Sequence, residues 1–497
     1  MKVIIPMTGK SKRFKNAGID LPKQFLEIEN KMIAQHILDM FPGESDINFI
    51  INKDDAKNYE IYYEQFPEVN IVQINFQSSG PGGALLESKL LDTDESVLIN
   101  YCDFANIWDW QNLKNFIESN NPDGLVPAYV GLHPHTVYEN DYAFIKNQDF
   151  NILGIQEKKP FTNNKQMEYA STGTYYFKSG WLAKKYINKT FEDEDFINNE
   201  VYISTPFQKM INENLDVKLY KIDYFFQWGT PEDYQEFKYN LNEVKNVYSS
   251  KKIEICDMNF LIPAAGESSR FKKENYNESK IFLDVNGSSI VKTIVDSFEC
   301  SKNIKVLVQN KDFDEKKFKD FEEVDIVKIA KKTNGQAESA LKLVNLVENE
   351  DPIFIHSSDC VMDKDTIIPQ EEYDVVVFTK KNYRRGHFDS FNYGWVNSSK
   401  NKIKSLSIKK KPDDNSSTVI IGNFLFKNKN TYIDIYNETL INNQSINEIH
   451  IDHMLETALN KKMKVIEVSS EKSLMLGIPL EYKLFRYMKN CYEYLKK

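Results

Sequence analysis

The sequence predicts an α/β protein of two tandem domains, each a mainly parallel sheet with helices on both faces. Three observations point there. Short apolar runs alternate with segments of helical spacing along the whole chain, the pattern of a parallel sheet covered on both sides. At 497 residues the chain exceeds what one hydrophobic core usually supports, which favours two domains of roughly 250 residues each. The opening segment also recurs halfway along.

That segment begins with Val3-Ile4-Ile5-Pro6, long enough for a buried strand and too short for a helix. It runs into Thr8-Gly9-Lys10-Ser11, then Lys12-Arg13, with Lys23 behind Pro22 ten residues later. A strand feeding a small-residue loop aims backbone N–H groups at phosphates, and full charges nearby reinforce them. Residues 259–282 repeat the arrangement: strand Phe260-Leu261-Ile262-Pro263, turn Ala264 to Ser269, then Arg270 and Lys280. Gly9 and Gly266, Arg13 and Arg270, and Lys23 and Lys280 are each 257 residues apart, a register that chance does not hold.

Between these loops the elements follow in order. Met32, Ile33, Ile37 and Leu38 give Lys31 to Met40 helical spacing, ended by Pro42-Gly43. Residues 47–51 and 69–76 read as strands. The glycine-rich turn 78–83 leads into a helix over 84–91, and 96–100 is a strand with Asp103 just past its end. A helix is expected from Asn106 to Ile117. In the second half, 306–308, 324–329 and 353–355 are strands, 333–337 is the turn, and Asp359 lies 256 residues from Asp103. In such sheets ligands bind beyond the carboxyl ends of the strands, where these loops fall. The expected domains are 1–247 and 258–497, joined by an exposed linker at 248–257. This is one large duplication rather than a short-period repeat.

Composition narrows the function. An apolar fraction of 41% with mixed charge indicates a globular chain. A net charge of −10 argues against general nucleic-acid binding while allowing local phosphate sites. No apolar run reaches the roughly 18 residues of a membrane span, and Thr8-Gly9-Lys10 interrupts any secretory signal. Five scattered cysteines without a CxxC pair fit a reducing compartment and give no zinc site. A cytoplasmic location is expected, and homo-oligomerisation is left open.

At its paired loops the chain resembles the nucleotidyltransferases that join a nucleoside monophosphate to a sugar phosphate or a related phosphate. The family motif is a strand, a Gly-x-Gly-x-Arg loop and a Pro-Lys pair. Here Ser11 and Ser268 stand at the second glycine, and Ser279 replaces the second proline. The resemblance covers nearly the whole chain and implies two Rossmann-like, GT-A-like domains. In the implied reaction an acceptor phosphate oxygen attacks the α-phosphorus of an NTP and expels pyrophosphate. The protein must then hold two polyanions together and neutralise developing charge.

The resemblance implies Arg13, Lys23, Lys158, Arg270, Lys280 and Lys410 as catalytic cations, and Asp103 and Asp359 as ligands for Mg²⁺. Thr8, Gly9, Gly82, Gly83, Ala84, Ala265, Gly266, Gly335 and Gln336 would bind the nucleotide. Glu157, Thr172, Gly173 and Thr174 would hold the acceptor, with Glu157-Lys158-Lys159-Pro160 matching the family's Glu-Lys-Pro. In the second copy Lys409-Lys410-Lys411-Pro412 puts Lys409 at the place of Glu157. The family's second metal carboxylate, in an Asp-x-Gly-Thr turn, is replaced by Gln227 and Met475, with Asp223 the alternative.

His133-Pro134-His135 reads as loop residues lining a pocket rather than a metal site. Cys102 and Cys360 read as small fillers, and Thr230-Pro231-Glu232-Asp233 as a helix start. The first domain carries the more complete site. Its expected activity is NMP transfer to a sugar 1-phosphate or similar small phosphate, serving capsule polysaccharide synthesis. Two alternatives stand beside it. One is a cytidylyltransferase for a non-sugar phosphate with a regulatory second domain. The other is a GT-A glycosyltransferase, for which the Asp-x-Asp motif is missing at Asp103 and Asp359.

Overall fold

A computed structural model describes all residues except 55–58, 76–78, 134–141, 300–302, 322, 382, 384–389, 400–401, 411, 413–415, 444–447 and 497. Ser78, Pro134, His135, Cys300 and Lys411 thus lie outside the described residues. The chain divides into two compact units, one of Met1–Lys238 with Tyr487–Lys497 and one of Tyr239–Arg486. The first break falls inside the helix Pro231–Tyr248 and the second inside the helix Pro479–Leu495. The sequence places the join at 248–257 instead, where Ile253–Glu254 is a short strand paired with Phe298–Glu299.

In the first unit Lys2–Pro6 lies between Ile47–Asn52 and Val97–Asn100, parallel to both, and Asn70–Ile74 extends the parallel part. Ile47–Asn52 is buried at every position, as strands covered on both faces are. Beyond Val97–Asn100 the sheet turns mixed. Thr174–Phe177 runs antiparallel to Val97–Asn100 and to Gly124–Tyr129, and Val217–Lys221 is parallel to the latter. Asn151–Glu157, Ala143–Gln148 and Tyr169–Ser171 complete it, antiparallel. One face buries Ile4, Ile99 and Phe177 against Tyr186 and Phe207 from helices.

The second unit has its strands in the same spatial order. From the edge these are Val324–Ile329, Ile304–Gln309, Asn259–Pro263, Ile353–Ile355, Thr418–Phe426, Val375–Lys380, Val465–Ser469, Lys402–Ile408 and Gly394–Ser399. Thr418–Phe426 runs unbroken through the positions that two strands, Tyr169–Ser171 and Thr174–Phe177, hold in the first unit. Both units carry a short hairpin after the opening loop. Glu27–Ile28 pairs with Lys31–Met32 across Glu29-Asn30, and Asp284–Val285 with Ser288–Ser289 across Asn286-Gly287. All four turn residues have positive φ, the mirror-image turn that matches strand twist.

Two expected helices are corrected. Lys31 and Met32 belong to the hairpin, leaving Ile33–Leu38 helical. Asn106 lies in the strand Phe104–Ile107, paired with Tyr224–Gln227. The helix there is Trp110–Asn120, capped by Asp109, whose side chain accepts from Asn112 N–H at 3.0 Å. Asp103 is therefore not a helix cap. Among the described residues no helix is long and apolar enough to cross a membrane.

In the second unit Lys380 at the end of its strand donates to Glu243 of the helix Pro231–Tyr248 and to the Ser473 carbonyl. The ammonium and carboxylate side chains are 0% and 3% exposed. Removing one partner strands a buried charge. Lys380→Met is expected to cost about 3–5 kcal/mol by urea denaturation, and the Lys380→Met/Glu243→Leu pair to recover most of it.

Candidate active sites

In the first unit the strand Lys2–Pro6 delivers a loop to the carboxyl edge of the sheet. The loop then enters the five-residue helix Lys12–Asn16 through Ser11 in the left-handed conformation, φ 48°. In the second unit Ser268 does the same at φ 52°. Both positions are glycine in the family motif, and both serines use the hydroxyl the same way. Ser11 Oγ accepts the Lys23 N–H at 3.4 Å, and Ser268 Oγ accepts the Lys280 N–H at 3.0 Å. Each side chain thus ties the loop to the turn bearing the lysine, and the tie offsets left-handed strain.

Each lysine reaches the carboxylate at the end of the fourth parallel strand. Lys23 Nζ donates to Asp103 Oδ2 at 2.8 Å, and Lys280 donates to Asp359. Burial opposes the Lys23 charge, but the Asp103 carboxylate more than offsets it and holds the ammonium well above its ordinary range. Burial likewise pushes the Asp359 carboxyl up, while Lys280, Ser357 and Arg270 bring it below the usual range.

A third segment backs each carboxylate. Trp228 N–H donates to the Asp103 carbonyl at 2.8 Å, and Leu476 N–H to that of Asp359 at 2.7 Å. The glycine that follows lies against the side chain. A Cβ on Gly229 would sit 3.3 Å from Asp103 Oδ2, and one on Gly477 3.2 Å from Asp359 Oδ2. Gln227 spends its amide on Asp233 at 2.9 Å. Glu481, at the place of Asp233, accepts from Tyr393 and from the Gly477 and Ile478 N–H groups. Asp223 is exposed, paired with Lys221 at 3.0 Å and away from the cavity lining.

Around these groups lie two cavities, about 450 Å³ in the first unit and about 430 Å³ in the second. Thr8, Gly9, Arg13, Lys23 and Asp103 line the first. Ala265, Gly266, Arg270, Lys280, Gly335, Gln336 and Asp359 line the second. Burial raises the Cys102 and Cys360 thiols above their ordinary range, so both stay neutral fillers. His133 is not a lining residue. It is buried, stacked on Phe225 with ring centroids 3.9 Å apart and bonded to Tyr487. Burial keeps it neutral, and no cluster able to hold a metal on three or more side chains occurs among the described residues.

The backbone corrects two residue matches made from sequence. Gly82, Gly83 and Ala84 are buried inside the helix Gly80–Ser88, while Gly80 and Pro81 face the cavity. Gly82 N–H donates to the Val201 carbonyl at 3.1 Å, and Ala337 N–H to that of Ile449 at 3.1 Å. Gly335-Gln336 is therefore the counterpart of Gly80-Pro81, two residues from the expected match. Gly80 and Gly335 both have positive φ, 73° and 113°. A Cβ on Gly335 would also collide with the Ile449 carbonyl.

The second correction concerns the strand before Lys158. Lys158 and Lys409 share a left-handed φ, 56° and 51°. Their N–H groups donate to Tyr142 O at 3.0 Å and Tyr393 O at 3.1 Å. Lys409 is thus the counterpart of Lys158, and Ile408 that of Glu157. Lys409 lines the second cavity, whereas Lys410 is exposed and outside its lining. In the first unit Glu157, Lys158, Thr172, Gly173 and Thr174 are not lining residues. Thr174 is fully buried, donating to Asn100 Oδ1 at 2.6 Å and accepting from Asn106 at 3.0 Å. Lys158 approaches the cavity through Tyr202, with Nζ 3.4 Å from the Tyr202 hydroxyl.

Glu200 and Tyr202 in the first cavity, and Glu448, His450 and Asp452 in the second, went unrecognised in the sequence. A signal was there: Glu200-Val201-Tyr202-Ile203-Ser204 and Glu448-Ile449-His450-Ile451-Asp452 form a repeat 248 residues apart.

The glycines separate fold from site. Gly266 has nothing within 4 Å of an added Cβ, so the fold leaves that space to the cavity. Gly266→Ala is expected to change stability by less than about 0.5 kcal/mol. Gly335→Ala should cost about 1–3 kcal/mol through its left-handed φ. Urea denaturation of the two variants checks the difference.

The nucleotidyl transferase family model matches residues 2–243. No curated protein matches the chain. Among solved structures, a nucleoside-diphosphate-sugar pyrophosphorylase from Vibrio cholerae RC9 is 19% identical at a TM-score of 0.38. That match covers 47% of this chain and 98% of the other. An inositol-1-phosphate CTP transferase from T. maritima is 20% identical at a TM-score of 0.38, covering 47% and 96%. Residues 2–243, just under half of the chain, thus match the nucleotidyl transferase family, and by that match the protein is a nucleotidyltransferase.

Proposed function

We propose that the first unit transfers a nucleoside monophosphate from an NTP to a sugar 1-phosphate or similar small neutral-bodied phosphate, releasing pyrophosphate. The observation that carries this reading is the convergence of Gly9, Arg13, Lys23 and Asp103 on one cavity from separate stretches of chain. A Cβ on Gly9 would meet nothing within 4 Å, so the loop leaves room for phosphate oxygens close to its backbone.

Arg13 and Lys23 would neutralise charge developing on the leaving pyrophosphate. Lys158, held beside Tyr202, would meet the acceptor phosphate. Glu157, which accepts from Ser204 Oγ at 2.7 Å, would meet an acceptor hydroxyl with its carboxylate. Asp103 would serve Mg²⁺ as a single protein ligand through Oδ1, since Oδ2 accepts from Lys23 at 2.8 Å. Substrate oxygens and water would complete the shell. When bound, the ion would screen the phosphates and help align them. Capsule precursor synthesis is the proposed use of the product, and the cytoplasm its place.

Arg13→Ala and Lys23→Ala are each expected to lower turnover about 100- to 1000-fold. Asp103→Asn should remove most Mg²⁺-dependent rate with the circular dichroism spectrum unchanged. The assay is pyrophosphate release from four NTPs against phosphorylated sugars and polyols. For the best neutral acceptor, Lys280→Ala should stay within a few-fold of the parent. If Lys280→Ala and not Lys23→Ala stops that reaction, the first unit does not carry it.

A further inference from the structure

We propose that the second unit is itself a nucleotidyl-transfer site, and that its acceptor is a small phosphate bearing a protonated amine recognised by Asp452. This rests on the transfer reading given above for the first unit. The nucleotide end of the second cavity repeats that of the first: Gly266, Arg270, Lys280 and Asp359 line it. The acceptor end has been rebuilt by paired exchanges.

In the first unit a carboxylate on the strand, Glu157, is held by a hydroxyl on the facing helix, Ser204. In the second unit the strand position is Ile408 and the helix position is Asp452. The carboxylate has moved from the strand to the facing helix, and its hydroxyl partner has been lost. Gly394 makes the move feasible, since any Cβ there would collide with the Asp452 carboxylate. A Cβ on Gly394 would also meet Ile420 Cδ1 at 3.1 Å, so this wall is partly apolar.

Asp452 lines the cavity. Burial pushes its carboxyl up to about 6 against the pull of Lys409 and of its own backbone N–H, the groups among the described residues that favour its charge. A ligand ammonium would supply charge and donors beyond those that the described residues give Asp452. A ligand hydroxyl would supply a single neutral donor, which compensates the half-buried Asp452 carboxylate less.

The neighbouring exchange agrees. Tyr202 is replaced by His450, and Lys409 Nζ donates to His450 Nε2 at 2.7 Å. Lysine is donor-only, so this nitrogen accepts and the ring is neutral, as burial also dictates by lowering it to about 4. Lys409 would meet the acceptor phosphate, with Asp452 lining the same cavity to meet the rest of the acceptor. In the transfer step an unprotonated acceptor phosphate oxygen forms the new bond to the α-phosphorus. The bond from that phosphorus to the β-bridging oxygen breaks, and its electron pair leaves with pyrophosphate.

The test uses full-length Lys23→Ala protein with Mg²⁺ and each of four NTPs, so that the first site is disabled. Pyrophosphate release is compared within two matched pairs: glucosamine 1-phosphate against glucose 1-phosphate, and ethanolamine phosphate against ethylene glycol monophosphate. The amine is expected to react at least tenfold faster than its hydroxyl partner in one pair or both. Adding Asp452→Asn, nearly isosteric, should bring that pair within a few-fold. Equal rates in both pairs, a hydroxyl preference, a preference that survives Asp452→Asn, or no release from any of the four overturns the proposal. Failure here is distinct from failure of the first-site reading, which is judged by neutral acceptors with the unsubstituted protein against Lys23→Ala.

Discussion

The lysine–carboxylate pair made by Lys23 with Asp103, and again by Lys280 with Asp359, is the contact on which each site depends. It joins the opening loop to the end of the fourth parallel strand. The closing turn at Gly229 or Gly477 presses on it from the third side. A buried ammonium or carboxylate alone would be driven toward its neutral form. Paired, each partner offsets the other's desolvation at the edge of its cavity. In the proposed reaction the cation is partly desolvated and in place before the polyanion arrives, so little reorganisation is left to the step itself.

That constraint explains the retention of awkward local choices. A serine in left-handed conformation is not what an unconstrained loop would use, yet both units keep one, because its hydroxyl fixes the backbone of the paired lysine. The closing turn has lost a carboxylate at Gln227 and Met475, but its backbone hydrogen bond to the aspartate carbonyl is intact in both units. What is preserved is the placement of one carboxylate.

Much of this was legible in the sequence, for identifiable reasons. Gly9, Arg13 and Lys23 recur with one offset because a strand and its loop form a single rigid piece. The alternation of apolar runs was enough to read the parallel half of each sheet. The mixed half was harder, since its strands are joined by loops of different length in the two units. There, matching by residue type slid by one at Lys409 and by two at Gly335. Left-handed φ values and backbone hydrogen bonds restore the register. The exchange of Glu157 and Ser204 for Ile408 and Asp452 was invisible in linear sequence. It involves two positions far apart in the chain that face each other only once the sheet and helix are packed.

The distance between counterparts records where the two halves have diverged. It is 257 residues at Gly9, 251 at Lys158, 249 at Gly173 and 248 at Gly229. Most of the nine-residue shortening therefore accumulates after Asp103, whose own offset is 256. Loops tolerate such trimming better than the elements they connect. The history it suggests is of a duplicated ancestor whose opening half, up to the aspartate, kept its length to within two residues (offsets 257, 255 and 256 at Gly9, Gly80 and Asp103) while its opposite half was free to be cut and refitted. A protein so built keeps one way of handling the common reagent and acquires room to vary what that reagent is joined to.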